Sequence, residues 1–332
     1  MKCCVIGSGT WGSALAQVLC DNQNDVIIYG IDEKEINDIS INHKNEKYFG
    51  KDVILPNSLK ATLDLSFALD GAEVIVLAVP TFAIRSTLTQ IKPLLKNKPY
   101  LVSVAKGFDP GSLMRMSEVI RDVIPDSLRQ EVVSLIGPGH AEEVILRMLT
   151  LITATSKDKE AAKVIQHLFA TPYFRVYIQT DEVGAELGVA IKNAIAIASG
   201  ISQGVGLGDN AKAALVTRGL VEMIRFGEVY GGNASTFIGL TGIGDLMVTC
   251  NSVHSRNYQA GLEIGRQGSA KAFLQNNKKT VEGIRTTQII YELAKEKNID
   301  MPIIEAVYQV LYQDANPNEV IYGLMTRTLK SE

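Results

Sequence analysis

The sequence predicts an α/β domain followed by an all-helical domain, at residues 1–180 and 181–332. Up to about residue 180, short apolar runs alternate with amphipathic helical patterns, and beyond it only helical patterns remain. Continuous apolar strands separated by helices are typical of a parallel sheet that is buried on both faces. A chain of 332 residues also has the length expected of two domains.

Each element is predicted from a local pattern. Five short runs rich in valine, isoleucine and leucine are predicted as strands: residues 3–6, 26–29, 74–79, 100–105 and 132–136. Amphipathic periodicity predicts helices at residues 11–23 and 81–95 in the first domain. In the second domain, helical patterns cover residues 181–204, 209–230, 256–266, 285–297 and 303–312. Asp209 is predicted as an N-cap, and Pro302 suits the first turn of its helix.

The composition excludes several classes of protein. Hydrophobic residues make up 46% of the chain and charged residues 21%, which excludes a disordered, collagen-like or coiled-coil chain. The net charge is −3 and no polybasic stretch occurs, so neither nucleic acid nor an anionic membrane is an expected partner. The four cysteines form neither a CxxC motif nor a cluster with metal-ligand spacing. We interpret them as reduced thiols of a cytoplasmic protein without a metal site.

A glycine-rich loop joins the first predicted strand to the first predicted helix. Residues 7–12 read GSGTWG, the GxGxxG pattern of a Rossmann-type dinucleotide-binding domain. In this pattern Gly7 permits a tight turn, Gly9 lets the backbone approach the pyrophosphate, and Gly12 allows close packing of helix and strand. The first N–H groups of the helix would then face the phosphates. The alternative is a glycine-rich turn that binds no ligand.

Asp32 lies 20 residues beyond Gly12, just after the second predicted strand. A carboxylate at this spacing accepts hydrogen bonds from the adenosine ribose and repels a 2′-phosphate. No Arg or Lys occupies positions 29–33, where it could neutralise such a phosphate. These observations favour NAD(H) over NADP(H) as the cofactor. The alternative is that Asp32 only caps the following helix.

Lys192 is the only charged residue between positions 187 and 208. Its helical neighbours at three and four positions are glycine, alanine, valine or isoleucine, so its surroundings are expected to be apolar. Burial disfavours an ammonium group, and a lysine whose pKa is lowered in this way can act as an acid or base near neutral pH. The alternative is a lysine that extends to the helix edge. Because the segment also holds five glycines, it is interpreted as a buried helix rather than a membrane span.

Further polar residues suggest a substrate site. Asp245 follows a short glycine-rich loop and could orient a lysine or cap the next helix. Ser255, Arg256 and Asn257 suit a small phosphorylated substrate, because arginine presents a rigid fork to phosphate oxygens; the alternative is plain surface. Lys106 directly follows a predicted strand, and ligands of open α/β sheets bind at the carboxyl ends of strands.

Several segments, in order along the chain, resemble the bacterial NAD(P)-dependent glycerol-3-phosphate dehydrogenase family. They are IGSGTWGSALA (6–16), AVPT (78–81), AKGFDPGSL (105–113), GPGHAEEV (137–144), FRVY (174–177), IKNAIAIASGI (191–201), GLGDNAKAALVTRGL (206–220), GLTGIGDLMVTC (239–250), SVHSRN (252–257) and VEGIRTT (281–287). The resemblance covers nearly the whole chain. It implies reversible reduction of dihydroxyacetone phosphate to sn-glycerol 3-phosphate, which supplies phospholipid backbones, and it suggests a homodimer.

The resemblance also implies roles for individual residues. Lys192 would be the catalytic acid/base, Asp245 would orient it, and Lys106 would bind substrate and help to polarise its carbonyl group. The implied substrate ligands are Lys106, Gly137, Gly139, Lys192, Asp245, Ser255, Arg256 and Asn257. The implied cofactor ligands are Gly7, Gly9, Thr10, Trp11, Gly12, Asp32, Lys106, Ala141, Arg256, Thr280, Val281 and Glu282.

The chain departs from the family pattern at two places. The family commonly has Ser or Thr where this chain has Gly139, so only a backbone contact to the substrate can remain there. Many members have a basic residue near positions 31–32, whereas this chain has Ile31 and Asp32, which again favours NAD. The alternative functions are a related β-hydroxyacid or ketopantoate reductase and a non-catalytic protein that senses NADH.

Overall fold

The computed structural model describes residues 1–277 and 280–329. The chain divides into two compact units, Met1–Glu182 and Val183–Glu332. The predicted end of the helical domain, at residue 332, lies outside the described residues. The first unit is built on a β-sheet, and in its described residues the second unit consists of helices and their connections. The fold class predicted from the sequence is therefore confirmed.

Within the described residues, the sheet of the first unit has eight strands in the order β3-β2-β1-β4-β5-β6-β7-β8. They are β1 Lys2–Ile6, β2 Asp25–Tyr29, β3 Lys60–Thr62, β4 Val74–Leu77, β5 Tyr100–Ser103, β6 Val132–Ile136, β7 Thr150–Thr155 and β8 Phe174–Gln179. β1 lies between β2 and β4. From β1 to β3 the chain moves towards one edge of the sheet, and from β4 onwards it moves towards the other edge, so the strand order reverses next to β1. Open α/β sheets bind their ligands beyond the carboxyl end of a strand at such a reversal.

The predicted parallel sheet is confirmed for six of the eight described strands, whereas β7 and β8 run in the opposite direction. β3 to β6 are parallel, but β7 runs antiparallel to β6, and β8 runs parallel to β7. The strands β3, β7 and β8 were absent from the predicted set. β3 has only three residues, and β8 alternates buried Phe174 and Val176 with exposed Arg175 and Tyr177 because it forms the edge of the sheet.

Helices cover both faces of the sheet. Their bounds are α1 Thr10–Asp21, α2 Glu33–Asn37, α3 Glu46–Phe49, α4 Leu65–Leu69, α5 Thr81–Ile91, α6 Met116–Val123, α7 Ala141–Val144 and α8 Lys159–Phe169. Along β1, Cys3 and Val5 join one apolar cluster, whereas Cys4 and Ile6 join the other. Successive side chains of a strand point to opposite faces, so this division places a core on each side of the sheet.

The second unit is formed by helices. Their bounds are α9 Glu182–Gly204, α10 Asp209–Val229, α11 Ala234–Phe237, α12 Asp245–Asn251, α13 Arg256–Gln267, α14 Ala270–Asn276, α15 Glu282–Glu296, α16 Pro302–Tyr312 and α17 Pro317–Met325. Pro302 does occupy the first turn of α16, as predicted. The N-cap predicted at Asp209 is wrong, because Gly208 is the N-cap and Asp209 is the first helical residue. An acidic side chain there still favours the helix, through the dipole at its N-terminus.

Helix α9 is the central element of the second unit. By length and composition alone it could cross a membrane, but 94% of its apolar window is buried within the protein, which is typical of a core helix. It approaches α13 at backbone distance. A Cβ atom at Gly200 would lie 2.1 Å from the carbonyl oxygen of Tyr258, and one at Gly261 would lie 2.1 Å from that of Ile197. No side chain fits between the two helices at these points.

A buried carboxylate joins two other helices of this unit. Glu222 of α10 accepts hydrogen bonds from the backbone N–H groups of Ile303, at 2.7 Å, and Ile304, at 3.2 Å, in the first turn of α16. Burial raises the pKa of Glu222 to about 7, while the two backbone donors and Arg225 oppose this effect and Asp300 adds to it. The carboxyl group therefore binds its proton more tightly in the folded protein than in the unfolded chain.

We expect the stability of the protein to depend on pH through Glu222. Because the folded pKa is raised, the stabilisation is fully present below the ordinary value of 4.5 and is lost as the pH rises through about 7. Between about pH 5 and about pH 8, the free energy of unfolding should therefore fall by roughly 2–3 kcal/mol more in the native protein than in Glu222→Gln. Denaturant unfolding at both pH values measures this difference. Glu228→Gln, an exposed change on the same helix, is the control, and an equal pH dependence in all three proteins would contradict the prediction.

Candidate active site

The glycine-rich loop follows β1 at the reversal of strand order. Gly7 has a φ of +113°, a conformation that favours glycine, and a Cβ atom there would lie 2.5 Å from the carbonyl oxygen of Ala78. A Cβ atom at Gly12 would lie 1.9 Å from the carbonyl oxygen of Gly7. Substitution at either position would therefore force the loop, α1 and the segment after β4 apart.

The space above Gly9 is open, in contrast to its neighbours. Apart from its chain neighbours, no residue has an atom within 4 Å of a Cβ atom built on Gly9, which is the N-cap of α1 and supplies no capping side chain. The first N–H groups of a helix have no partner within the helix and carry a partial positive charge. Open space beside such donors fits the pyrophosphate of a dinucleotide. Thr10 and Trp11 directly follow Gly9 as the first two residues of α1.

Other predicted ligands lie on the loops after β5 and β6. Lys106 donates a hydrogen bond from Nζ to the carbonyl oxygen of Gly137, at 2.7 Å. A Cβ atom at Gly139 would lie 3.2 Å from Cη2 of Trp11, so a serine or threonine at this position would press on the indole ring. Ala141 is the first residue of α7 and is buried. Lys106 is therefore hydrogen-bonded to Gly137, and Gly139 lies close to the Trp11 ring.

Asp32 caps α2, as the second interpretation of this residue expected. Its Oδ1 atom accepts hydrogen bonds from the backbone N–H groups of Lys34, at 3.0 Å, and Glu35, at 3.4 Å. Its Oδ2 atom lies 3.1 Å from Nζ of Lys47. Hydrogen bonding to Lys47, with that to the backbone, lowers the pKa of Asp32, so the group is ionised at neutral pH. A carboxylate retains further acceptor positions, so capping leaves a ribose contact possible.

Lys192 lies inside the second unit and does not extend to a helix edge. Its side chain is 7% exposed, and its Nζ atom lies 3.1 Å from Oδ1 of Asp245, which is 1% exposed. Nζ also donates a hydrogen bond to Oγ1 of Thr249, at 2.7 Å. Thr249 in turn donates to the backbone carbonyl oxygen of Asp245, at 2.6 Å, one turn earlier on α12. These three residues form a buried polar centre, the Lys192 centre.

The packing of α12 explains how Asp245 reaches the lysine. Asp245 is the first residue of α12 after the N-cap Gly244, and its side chain is engaged with Lys192. A Cβ atom at Gly188 would lie 2.5 Å from the carbonyl oxygen of Thr241, so the loop before α12 rests directly on α9. Burial disfavours the ammonium and the carboxylate separately, but their opposite charges compensate each other, and the Thr249 hydroxyl accepts a further hydrogen bond from the ammonium. The centre can therefore hold a transferable proton away from bulk water.

The predicted phosphate ligands lie at the N-terminus of α13. Oγ of Ser255 caps this helix by accepting a hydrogen bond from the backbone N–H of Tyr258, at 3.2 Å. Arg256 is the first helical residue and is exposed. A guanidinium beside a helix N-terminus favours an anion there.

Asn257 ties this helix to its neighbours. Its Nδ2 atom donates to Oδ1 of Asn193 on α9, and its Oδ1 atom accepts from the backbone N–H of Gly283 on α15, both at 2.9 Å. Val281 is the N-cap of α15 and Glu282 its first residue, with Thr280 just before them. Three predicted cofactor ligands thus lie next to the helix start that Asn257 contacts.

Sequence reasoning missed two residues of these sites. Thr249 is four residues after Asp245, the helical spacing that places two side chains on one face, so this signal was available. Lys47 lies 15 residues after Asp32 in a polar segment, and no local pattern connects the two.

The chain is similar to known proteins along nearly its whole length. Models of the NAD-dependent glycerol-3-phosphate dehydrogenase N-terminus and C-terminus match residues 2–162 and 181–322. Glycerol-3-phosphate dehydrogenase (NAD(P)+) of Bacillus pumilus is 47% identical over 331 residues, which cover 100% of this chain and 96% of the relative. The enzyme of that name from Listeria monocytogenes is 46% identical, with 100% and 98% covered.

A solved structure extends the comparison to three dimensions. The crystal structure of glycerol-3-phosphate dehydrogenase from Coxiella burnetii is 34% identical, covers 98% of both chains and superposes with a TM-score of 0.88. The family models together match most of the chain, and the relatives match it over its full length. The chain therefore belongs to the NAD-dependent glycerol-3-phosphate dehydrogenase family.

Proposed function

We propose that the protein catalyses the reversible reduction of dihydroxyacetone phosphate to sn-glycerol 3-phosphate, as a cytoplasmic homodimer that prefers NAD(H). The observation that carries the proposal is the Lys192 centre, a buried ammonium held by Asp245 and Thr249. Family membership supports the same reaction, since the bacterial relatives are named for it. The product of this reaction supplies backbones for phospholipid synthesis.

The acid/base step is assigned to Lys192. When bound, the nicotinamide ring supplies a hydride to C2 of the ketone. Lys192 donates a proton from Nζ to the C2 oxygen, where negative charge develops in the transition state, and its neutral amine then regains a proton from water. Asp245 fixes the direction of the ammonium, and Thr249 occupies a second hydrogen bond of Nζ. In the reverse direction the neutral amine removes the hydroxyl proton.

The remaining predicted ligands hold the two ends of the reactants. Arg256 is proposed to bind the substrate phosphate at the N-terminus of α13, with Ser255 and Asn257 beside it. Lys106 is proposed to bind the substrate and to help polarise the carbonyl. Gly137 and Gly139 are proposed to contact the substrate through their backbone. A phosphate anchor remote from the reacting carbon contributes by orientation as well as by affinity.

The cofactor is proposed to lie across the glycine-rich loop. Gly7, Gly9 and Gly12 would form the pyrophosphate site with Thr10 and Trp11, and Ala141, Arg256 and the segment Thr280–Glu282 would complete the contacts. Asp32 supports the preference for NAD(H), because it is ionised and a carboxylate disfavours a 2′-phosphate.

Initial rates of dihydroxyacetone phosphate reduction by the purified protein, with NADH and NADPH titrated in parallel, test this function. We expect rapid turnover with a higher kcat/KM for NADH. A higher kcat/KM for NADPH would retain the reaction and overturn the preference assigned to Asp32. An absence of turnover with both cofactors would overturn the proposed reaction.

A further inference from the structure

We infer that Lys47 is a specificity-determining residue, which moderates the discrimination that Asp32 exerts between NAD(H) and NADP(H). This inference rests on the proposed function, because it assumes that the loop beside Asp32 binds a dinucleotide. Lys47 would be a further residue of the cofactor site, outside the glycine-rich loop and outside the segment that directly follows β2.

The contacts of Lys47 place its charge next to the predicted ribose ligand. Lys47 belongs to the short helix α3, and its Nζ atom lies 3.1 Å from Oδ2 of Asp32. Nζ also bonds to Oε1 of Glu35, a buried carboxylate on α2. The side chain of Lys47 is 55% exposed, so it lies at the protein surface rather than in the core.

The same lysine is linked to the glycine-rich loop. Oγ of Ser8 donates a hydrogen bond to Oε2 of Glu35, at 2.6 Å, and the hydroxyl of Tyr48 donates to Oε1 of Glu35, at 3.2 Å. A continuous series of polar contacts therefore runs from Ser8 through Glu35 to Lys47 and Asp32. Lys47 lies at the end of this series where the adenosine ribose is expected.

The charges around Asp32 define what each cofactor would meet. The backbone of α2 occupies Oδ1 of Asp32, so Oδ2 is the atom that faces Lys47. The ribose of NADH needs only an acceptor, which the carboxylate provides with or without Lys47. A 2′-phosphate would be repelled by the carboxylate but attracted by the ammonium beside it. Lys47 should therefore favour NADPH selectively.

Equilibrium binding of the two cofactors to the full-length protein tests the inference. For Lys47→Gln, we expect the dissociation constant of NADPH to rise about tenfold and that of NADH to change less than twofold, since a charge-assisted phosphate contact is lost. For Asp32→Asn, we expect the dissociation constant of NADPH to fall, because the carboxylate no longer repels the 2′-phosphate. Lys47→Arg should retain the native ratio because the charge is kept. Lys44→Gln, a lysine in the same segment that pairs with Glu46, is the matched control.

The outcomes separate this inference from the proposed function. Nucleotide fluorescence reports binding without turnover, and thermal unfolding reports whether each variant is folded. An unchanged ratio of the two dissociation constants in Lys47→Gln would overturn the inference while leaving the dehydrogenase intact. Equal weakening of both cofactors would also overturn it, because Lys47 would then act only on the loop through Glu35. A native protein that binds neither cofactor would overturn the proposed function itself.

Discussion

Replacing Lys192 by alanine is expected to lower kcat for dihydroxyacetone phosphate reduction by about 10²- to 10⁴-fold, the usual contribution of a positioned general acid. The substitution removes both the proposed proton donor and the positive charge that it carries. Binding of NADH should change little, because the predicted pyrophosphate loop belongs to the first unit. Steady-state kinetics together with fluorescence titration of NADH separate these two effects.

The alanine variant also removes the ammonium that balances the buried charge of Asp245, which is expected to cost about 3–5 kcal/mol of stability. The double variant Lys192→Ala, Asp245→Asn removes both charges and should regain much of this stability while remaining inactive. Lys271→Ala, an exposed lysine of the same unit, should behave as the native protein. A folded double variant with a kcat close to the native value would falsify the role of Lys192.

Replacing Arg256 by alanine should lower kcat/KM for dihydroxyacetone phosphate by about 10- to 100-fold, because a charged hydrogen-bond donor to the phosphate is lost. Part of the loss should appear in kcat, since the phosphate anchor also orients the carbonyl group. Arg256 is exposed at the first position of α13, so its removal should leave the free energy of unfolding nearly unchanged.

A substrate without a phosphate makes this test specific. Dihydroxyacetone should be a poor substrate, and its kcat/KM should be the same in the native protein and in Arg256→Ala. Arg266→Ala, in the last turn of the same helix, is the control for a change of charge. Equal losses for both substrates would contradict phosphate binding. If these losses came with weaker NADH binding, Arg256 would instead be a cofactor ligand.

The sequence predicted the interior of the first unit well because its strands are buried on both faces. Such strands are continuous apolar runs, and β1, β2, β4, β5 and β6 were all found in this way. Buried and exposed residues alternate at the start of the edge strand β8, and β3 is too short to show a pattern. The direction of β7 depends on a connection whose path no local pattern specifies.

In the candidate site, too, the features set by local sequence were predicted and the contacts between distant residues were not. Gly7 and Gly12 were assigned from spacing, and both positions are sterically closed to a side chain. Lys192 attracted attention because it is a lone charge in an apolar helix. Its contact with Thr249 joins residues 57 positions apart, and the pairing of Lys47 with Asp32 depends on how α3 packs. Such contacts follow from tertiary packing, and local sequence patterns do not predict them.

The close approach of α9 and α13 has a consequence for tolerance to mutation. Four glycines spaced one turn apart, Gly200 and Gly204 on α9 and Gly261 and Gly265 on α13, bring backbone against backbone. Lys192 and Asn257 are carried by these same two helices. Their separation is thus fixed by main-chain contact rather than by side-chain volume. Hydrophobic residues elsewhere in the unit can be exchanged during evolution while the proposed proton donor and phosphate anchor keep their spacing.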